Sequence, residues 1–288
     1  MKSRARAVLS SPSFLILILL ALFSYTLPGI SAQEVEDERE FDYEVGGEKG
    51  PSHWGELKEE WEACKSGRMQ SPIDMSSQRV KVILKSSLLK KNHFPGNATI
   101  KNRGHDISVQ WELGKAGSIR INGTRYFLQQ CHWHSPSEHS INGRRYDMEM
   151  HMVHVSPNPT VKNKIVVLGL LYQSGAPNPF ISKLMGHVRS MIDKHEERTM
   201  GVINPEDIKM GGKKYYKYMG SLTVPPCTEG VIWIINKKLM TVSRDQVALL
   251  REAVHDYAEN NARPLQPLNK REIHLHVPTN PRDFASMN

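Results

Sequence analysis

Short apolar runs separated by Gly, Pro, Asn and Ser clusters follow one another along this chain, and the pattern predicts a largely β domain. The clearest runs are residues 107–111, 118–121, 126–133, 148–155, 165–172 and 231–236. Helical patterns are fewer: one covers residues 244–257, where Ser243 and Gln246 fit a capping box, and another covers 180–192. Because no linker-like stretch interrupts the 288 residues, we expect one main domain.

The two ends of the chain are expected to lie outside this domain. Residues 1–32 read as a secretory signal peptide, with basic residues, an apolar run at 14–23 and small residues before a cleavage site near Ala32. That run is too short to cross a bilayer of about 30 Å, so we expect no membrane span in the mature chain. Residues 33–46 are predicted to be a disordered acidic tail, residues 47–280 the folded domain and residues 281–288 a C-terminal tail.

Charge and cysteine usage narrow the class of protein further. The formal net charge is +8 and the basic residues are scattered, which argues against a nucleic-acid partner. Three cysteines in a secreted chain suggest one disulfide, and we pair Cys64 with Cys227 because both lie in turn-rich loops, whereas Cys131 lies within an apolar strand. Sequons at Asn97 and Asn122 are expected sites of N-glycosylation in the same compartment.

Histidines are concentrated in two neighbouring strand patterns. Side chains alternate along a strand. If the strand at 126–133 continues to residue 134, Gln130, His132 and His134 therefore share one of its faces. In the run at 148–155 the same alternation directs His151 and His154 to opposite faces. Of these two we select His151 as the one that faces a metal, because Glu149 lies beside it on the same face.

Three imidazoles with an open fourth position are typical of a catalytic zinc site. The candidate ligands are His132, His134 and His151, and the alternative is that these histidines only fill hydrogen bonds in the core. Gln130 and Glu149 favour the metal site, because each can accept the distal ring proton of a ligand and fix its tautomer.

Several motifs around these histidines resemble alpha-type carbonic anhydrases of the plant kind. The resemblance extends over nearly the whole expected mature chain. The motifs are His53-Trp54-Gly55, Gln70-Ser71-Pro72-Ile73-Asp74, Asn102-Arg103-Gly104-His105, His132-Trp133-His134-Ser135-Pro136-Ser137-Glu138-His139, Glu149-Met150-His151-Met152-Val153-His154, Gly220-Ser221-Leu222-Thr223-Val224-Pro225-Pro226 and Asn261-Ala262-Arg263-Pro264.

The resemblance implies a fold and an activity. The fold would be a mainly β (α+β) single domain, built on a large twisted, mostly antiparallel central sheet with a few peripheral helices. The activity would be reversible hydration of carbon dioxide to bicarbonate and a proton by zinc-bound hydroxide. Anions and sulfonamides would be inhibitors. Secretion leads by default to the cell wall or extracellular space, and the chloroplast is the alternative, because some plant relatives are assigned there.

The resemblance also assigns roles to individual residues. Thr223 would be a gatekeeper whose hydroxyl donates to Glu138, and His105 would be the proton shuttle, with an intrinsic pKa of about 6.5. Ser71 and Tyr218 would belong to a buried hydrogen-bond network, and His139 and His154 would be structural. The carbon dioxide pocket would be formed by Val153, Val167, Leu222, Val231 and Trp233.

Two departures from the family pattern bear on proton transfer and inhibitor binding. Val224 follows the gatekeeper where the fastest animal relatives have a hydroxyl, and Arg103 replaces an asparagine that organises cavity waters. Neither residue is a ligand. Two other functions stay open: a non-catalytic carbonic-anhydrase-like binding or storage protein, and a zinc hydrolase acting on esters.

Overall fold

A sheet of 13 strands forms the body of the protein in a computed structural model that describes residues 40–84, 89–254 and 257–278. The predicted signal peptide and the whole of the predicted C-terminal tail lie outside these residues. The strands are β1 (Val80–Leu84), β2 (Leu89–His93), β3 (Gly96–Asn102), β4 (Ile107–Trp111), β5 (Gly117–Ile121), β6 (Thr124–His134), β7 (Met148–Val155), β8 (Ile165–Ser174), β9 (Glu197–Ile203), β10 (Tyr215–Ser221), β11 (Glu229–Asn236), β12 (Met240–Val242) and β13 (Ile273–Val277).

Most neighbouring strands in this twisted sheet are antiparallel, as predicted. The main path runs β1-β13-β10-β11-β8-β7-β6-β4-β3-β9, while β12 adds to β8 and the pair β2-β5 adds to β6. Parallel pairing occurs between β1 and β13, between β8 and β11, and between β8 and β12. The sheet is therefore mixed but mainly antiparallel, and the six strands predicted from sequence are all present.

Four short α-helices accompany the sheet within the described residues. They are α1 (Trp54–Leu57), α2 (Ala63–Ser66), α3 (Pro179–Arg189) and α4 (Arg244–Glu252). The predicted capping box of α4 is confirmed, because Ser243 and Gln246 exchange side-chain and backbone hydrogen bonds. Both α3 and α4 end earlier than predicted; Tyr257, the predicted end of α4, has φ +70°, which a helix does not allow. Across the described ranges, no helix has the length and hydropathy needed to span a bilayer.

The two faces of the strands separate the core from the site. On β6, Cys131 and Trp133 belong to the main hydrophobic cluster, and on β7 so do Met148, Met150 and Met152. The intervening residues of both strands point to the other face, where they are also buried. A layer of buried polar groups therefore lies on the sheet face opposite the main core, as the alternation in the sequence predicted.

The prediction that residues 33–46 form a disordered tail is wrong for the C-terminal part of this segment. Phe41 and Tyr43 have 1% and 6% exposed surface and belong to the core cluster. The ring of Phe41 packs edge-on against Trp54 and Trp61, with ring centroids 5.3 and 6.2 Å apart. Burial of two aromatic rings outweighs the acidic residues beside them, which stay at the surface, so the packed domain includes residues that the sequence placed in the tail.

The predicted disulfide between Cys64 and Cys227 is present, and Cys131 is a buried free thiol. The bridge joins residues 163 positions apart. On the chain-entropy account, closure of a loop of that size stabilises the fold by at most about 5 kcal/mol.

A buried histidine pair on the core side of β7 is sensitive to acid. His93 Nε2 and His154 Nε2 lie 3.0 Å apart, and His154 Nδ1 donates to the carbonyl of Met152. Burial lowers the pKa of His93 to about 4, helped by the charge of Lys91, and lowers that of His154 to about 3. Among the described residues, the carboxylate that pairs with these rings is that of Glu206, 3.6 Å from His93 Nδ1 and half exposed. Both rings are therefore neutral in the folded protein at pH 7.

We predict that the free energy of unfolding falls as the pH drops from 6.5 towards 4. In this window the unfolded chain protonates these histidines while the folded protein does not, so folding is opposed, and His93 alone accounts for about 2 kcal/mol at pH 5. Urea unfolding between pH 7.5 and 4.5 measures the slope of the unfolding free energy against pH. The variant His93→Leu/His154→Leu should flatten it, whereas the control His187→Leu should not. Equal slopes in both variants would contradict the assignment.

Candidate metal centre

The register between β6 and β7 places the candidate ligands side by side. His132 lies opposite His151, and His134 lies opposite Glu149. A β-bulge between Leu128 and Gln130 shifts the pairing by one residue and so sets this alignment. Across β7, Gly169 of β8 faces His151, and a Cβ there would come within 2.4 Å of Ile235 Cδ1 and 3.1 Å of Glu149 Oε1. Glycine therefore makes room for the carboxylate that supports His151.

Three imidazole nitrogens converge in this layer. The three rings have 0–2% exposed surface, and their centroids lie 4.6 to 5.1 Å apart. His132 Nε2 and His151 Nδ1 are 3.3 Å apart. One nitrogen from each of the three rings lies within 4.8 Å of the others, a separation that one metal ion can bridge. The structure brings together the three histidines that the sequence selected.

The opposite nitrogen of each ring is held by its own hydrogen bond. His132 Nδ1 donates to Gln130 Oε1 at 2.8 Å, and His151 Nε2 donates to Glu149 Oε1 at 2.9 Å. Both partners were expected from the sequence. His134 Nδ1 donates instead to the backbone carbonyl of Asn261 at 2.6 Å, a partner that the sequence did not reveal. These bonds fix the tautomers so that His132 Nε2, His134 Nε2 and His151 Nδ1 keep free lone pairs.

Burial and neighbouring charges set the protonation of the three rings. Burial lowers the pKa of His132 well below its usual value and also lowers that of His151, where the Glu149 carboxylate opposes the effect only in part. For His134, burial is outweighed by the Glu138 carboxylate and the Asn261 carbonyl, so its pKa is raised. Neutral His132 and His151 suit metal binding at pH 7, while protons compete with a metal at His134 as the pH falls.

Glu149 connects the ligands to a second buried histidine. Its Oε1 also accepts from His139 Nδ1 at 2.7 Å, and its Oε2 accepts from the His139 backbone N–H at 2.8 Å. Burial would raise the pKa of Glu149, but His139 and His151 outweigh it and hold the pKa well below the usual range. Glu149 is therefore ionised, and His139 is part of the support for His151.

The network continues from His139 to the residues that the resemblance named. His139 Nε2 lies 2.6 Å from the hydroxyl oxygen of Tyr218, which lies 2.8 Å from Ser71 Oγ. Burial raises the pKa of Tyr218 well above its usual value, so the phenol keeps its proton. The expected roles of Ser71 and Tyr218 as network members agree with these contacts.

Glu138 and Thr223, the expected gatekeeper pair, are both buried but are not joined by a hydrogen bond. Glu138 and Thr223 have 0% and 4% exposed surface. Glu138 Oε1 accepts from the backbone N–H of Arg263 at 3.0 Å, while Oε2 has no hydrogen-bond partner among the described residues and lies 3.7 Å from His134 Nε2. The hydrogen bond predicted from the Thr223 hydroxyl to Glu138 is thus not formed, and the free carboxylate oxygen is turned towards the ligand side.

The environment of His105 differs from the expected one. Its ring has 1% exposed surface, packs 5.2 Å from the ring of Phe41, and finds no hydrogen-bond partner for either nitrogen in the part of the chain that the structure describes. Burial lowers its pKa to about 4, although the Asp106 carboxylate opposes the shift. The pKa in this environment is therefore lower than the intrinsic value of about 6.5, because burial disfavours the charged ring.

Four of the five predicted pocket residues lie on β7, β8 and β11, and the fifth, Leu222, directly follows β10; all five are buried. They have 1–5% exposed surface, and none belongs to the main hydrophobic cluster of the described residues. Val153 on β7 lies opposite Val167 on β8, which lies opposite Trp233 on β11. The rings of Trp233 and His151 are 4.7 Å apart. An apolar wall of Val153, Val167, Leu222, Val231 and Trp233 therefore begins next to a candidate ligand.

The donor set fits a zinc ion. His134 Nε2 is buried without a hydrogen-bond partner among residues 40–84, 89–254 and 257–278, although burial of an unpaired polar atom is costly. Three imidazole donors, with a carboxylate and an apolar wall nearby, match catalytic zinc sites with one open position. Calcium or magnesium would require more oxygen ligands than the three nitrogens offer.

Comparison with known sequences gives one consistent family. The sequence model of the eukaryotic-type carbonic anhydrases matches residues 49–277. Carbonic anhydrase Nec1 of Nesocodon mauritianus is 55% identical over 93% of this chain and 96% of its own length. Alpha carbonic anhydrase 7 of Arabidopsis thaliana is 51% identical over 90% of this chain and 95% of its own length.

Solved structures show the same similarity. Dioscorin complexed with ascorbate is 40% identical, with a TM-score of 0.78 over 83% of this chain and 99% of that chain. The alpha-carbonic anhydrase from Thermovibrio ammonificans, in complex with the inhibitor sulfanilamide, is 37% identical, with a TM-score of 0.70 over 81% of this chain and 98% of that chain.

We predict that Gln130→Ala weakens zinc binding by roughly 10- to 100-fold, because His132 loses the acceptor that fixes its tautomer. Competition with a fluorescent zinc chelator measures the affinity. Gln173→Ala, at a half-buried position on β8 away from the ligands, is the matched control and should retain the parent affinity. If both variants bind zinc as tightly as the parent, the proposed role of Gln130 in orienting His132 is wrong.

Proposed function

The chain belongs to the eukaryotic-type carbonic anhydrase family, and on that premise we propose that it catalyses the reversible hydration of carbon dioxide to bicarbonate. His132, His134 and His151 would hold a zinc ion. The observation that carries the proposal is the convergence of one nitrogen from each of these three buried rings. When bound, zinc supplies a water that is acidic enough to ionise near pH 7, a value known for carbonic anhydrases themselves.

The protein's own groups would orient the reactants. Carbon dioxide is apolar, and the wall that includes Val153, Val167 and Trp233 offers it a water-poor surface beside His151. Thr223 and Glu138 would act as the gatekeeper pair, with Glu138 Oε2 as the acceptor that is available. For this role the Thr223 hydroxyl has to turn towards Glu138 during the reaction, since the two are not bonded here.

Proton release would depend on His105. Its ring is neutral at pH 7, and neither nitrogen is engaged in a hydrogen bond with the described residues, so it is able to accept a proton. A zinc-bound water would have a pKa near 7. Proton transfer from such a water to a His105 ring of pKa about 4 would be unfavourable by a factor of about a thousand. Proton transfer is therefore the expected slow step of turnover.

Inhibition and cellular location follow as parts of the same proposal. Anions and sulfonamides would bind at the metal, in line with the sulfanilamide complex of the relative from Thermovibrio ammonificans. Entry into the secretory pathway would end in the cell wall or extracellular space, with the chloroplast as the alternative. Asn97 and Asn122 are exposed and would accept glycans, and Asn122 lies in the turn between β5 and β6 with φ +48°.

A non-catalytic binding or storage role is the alternative, and the similarity to dioscorin with bound ascorbate favours it. Such a role gives no reason to keep three buried imidazoles convergent with one unpaired nitrogen among them. The enzyme is therefore the preferred function, and metal content with activity on one sample separates the two.

We predict that the purified protein contains about one zinc per chain and accelerates carbon dioxide hydration in stopped-flow measurements. Removal of the metal with dipicolinate should abolish activity, and added zinc should restore it, because three nitrogens without the ion cannot activate water. His132→Ala should lose zinc and activity while keeping its circular dichroism spectrum. His187→Ala, which changes a histidine on α3, should keep both. If the parent protein contains zinc but is inactive, the proposed enzymatic function is wrong and the binding role is favoured.

We predict that His105→Ala lowers kcat several-fold in weak buffer and leaves kcat/KM unchanged, because only proton release is affected. Imidazole buffer should restore kcat by carrying the proton in place of the missing ring. His274→Ala, on strand β13, should behave like the parent. An unchanged kcat in weak buffer would remove His105 from the mechanism.

A further inference from the structure

A buried ion pair brackets His105 in the sequence. Arg103 Nε donates to Asp106 Oδ1 at 2.7 Å, and the terminal nitrogen Nη2 donates to Oδ2 at 2.5 Å. Arg103 and Asp106 have 2% and 1% exposed surface. The guanidinium thus closes on a carboxylate three residues further along.

The turn that carries His105 is fixed at several points. The backbone N–H of Arg103 donates to the carbonyl of Asp106 at 2.9 Å, and the side chain of Asn102 accepts from the N–H of Gly104 at 2.9 Å. Gly104 has φ +80°, which a residue with a side chain rarely adopts. The ion pair therefore closes a turn that is already hydrogen-bonded along its backbone.

The ring of His105 lies between this turn and Phe41. Its Nε2 is 3.7 Å from Asp106 Oδ2, too far for a hydrogen bond, and the other face of the ring meets Phe41. The carbonyl of His105 accepts from Asn261 Nδ2 at 2.8 Å, and the carbonyl of Asn261 accepts from the ligand His134. The backbone of the turn is thus connected to the metal ligands through one asparagine.

Stability alone gives little reason for a buried ion pair here. Desolvation of two charges roughly cancels their attraction, and an apolar pair of similar volume stabilises a fold as well or better. What the pair adds is direction, because the planar guanidinium donates two parallel hydrogen bonds that hold the carboxylate in its own plane. That arrangement fixes the side-chain torsions on both sides of His105.

We propose that the Arg103–Asp106 ion pair is a positioning device that holds the imidazole of His105 in one orientation for proton transfer. The inference rests on the proposed function, since it deepens the role of His105 in that reaction. Neither residue touches the reacting atoms. Both act through His105, and their loss changes proton release while the attack on carbon dioxide is unaffected.

The test replaces both charges together, because removal of one would leave the other buried and unpaired. Arg103→Met/Asp106→Leu should lower kcat in weak buffer to the level of His105→Ala, leave kcat/KM unchanged, and respond to imidazole buffer. Adding His105→Ala to the double variant should cause no further loss. The matched control Lys183→Met/Asp207→Leu removes an exposed ion pair of 2.6 Å and should keep the parent kcat.

A second measurement does not depend on activity. In metal-free, 15N-labelled protein, the ring signals of His105, assigned with His105→Ala, should be displaced from free-histidine values in the parent and move towards them in the double variant. Arg103→Lys keeps the charge but loses the two-pronged contact, so it should fall between the two. This variant decides the question if the double variant does not fold.

The outcomes separate this proposal from the function on which it rests. Unchanged ring signals, or a parent kcat in the double variant, would overturn the positioning role. A fall in kcat/KM equal to the fall in kcat would also overturn it, since it would show general damage to the site. A parent that binds zinc but does not hydrate carbon dioxide would overturn the proposed function, while the ring signals would still decide the orientation.

Discussion

The pairing of β6 with β7 is the constraint on which the rest of the structure depends. A slip of one residue in this pairing would send His132 and His134 to the hydrophobic core and bring Cys131 and Trp133 into the polar layer. The bulge between Leu128 and Gln130 and the apolar face of β7 fix the register together. The candidate metal centre is therefore a consequence of strand alignment, since the three histidines and two of their hydrogen-bond partners, Gln130 and Glu149, lie on these strands. The third partner, the carbonyl of Asn261, comes from a loop.

Strand alternation allowed the candidate ligands to be predicted from the sequence. The long-range contacts that surround them could not be predicted in this way. Period two is a local property of the chain, and it sufficed to separate His151 from His154 and to place Gln130 and Glu149 beside the ligands. Asn261 supports His134 through a backbone carbonyl 127 residues away, and no side-chain pattern reports such a contact. The burial of His105 was missed for a similar reason, because Phe41 belongs to a segment whose composition looked disordered.

The family resemblance supplied roles that the residues alone did not. Composition and spacing could not single out Thr223, Glu138 or the five apolar wall residues, since buried valines and a tryptophan are equally expected in a core. The structure adds a reason to distinguish them: the wall lies outside the main hydrophobic cluster and on the histidine face. It also shows Arg103 paired with Asp106, a contact that the substitution of asparagine by arginine did not reveal.

Buried polar atoms without a hydrogen-bond partner occur at the proposed site as well as elsewhere among the described residues, for example at His93 Nδ1 and Trp133 Nε1. Within the described residues, His134 Nε2, Glu138 Oε2 and both ring nitrogens of His105 have no hydrogen-bond partner, whereas the distal nitrogens of the three ligands are all bonded. Each unpaired atom costs about 1–3 kcal/mol of stability, so a fold selected only for stability would have satisfied them or replaced them with carbon. The selective satisfaction of one side of each ligand ring is what a metal site requires, because a fully hydrogen-bonded imidazole has no lone pair left to donate.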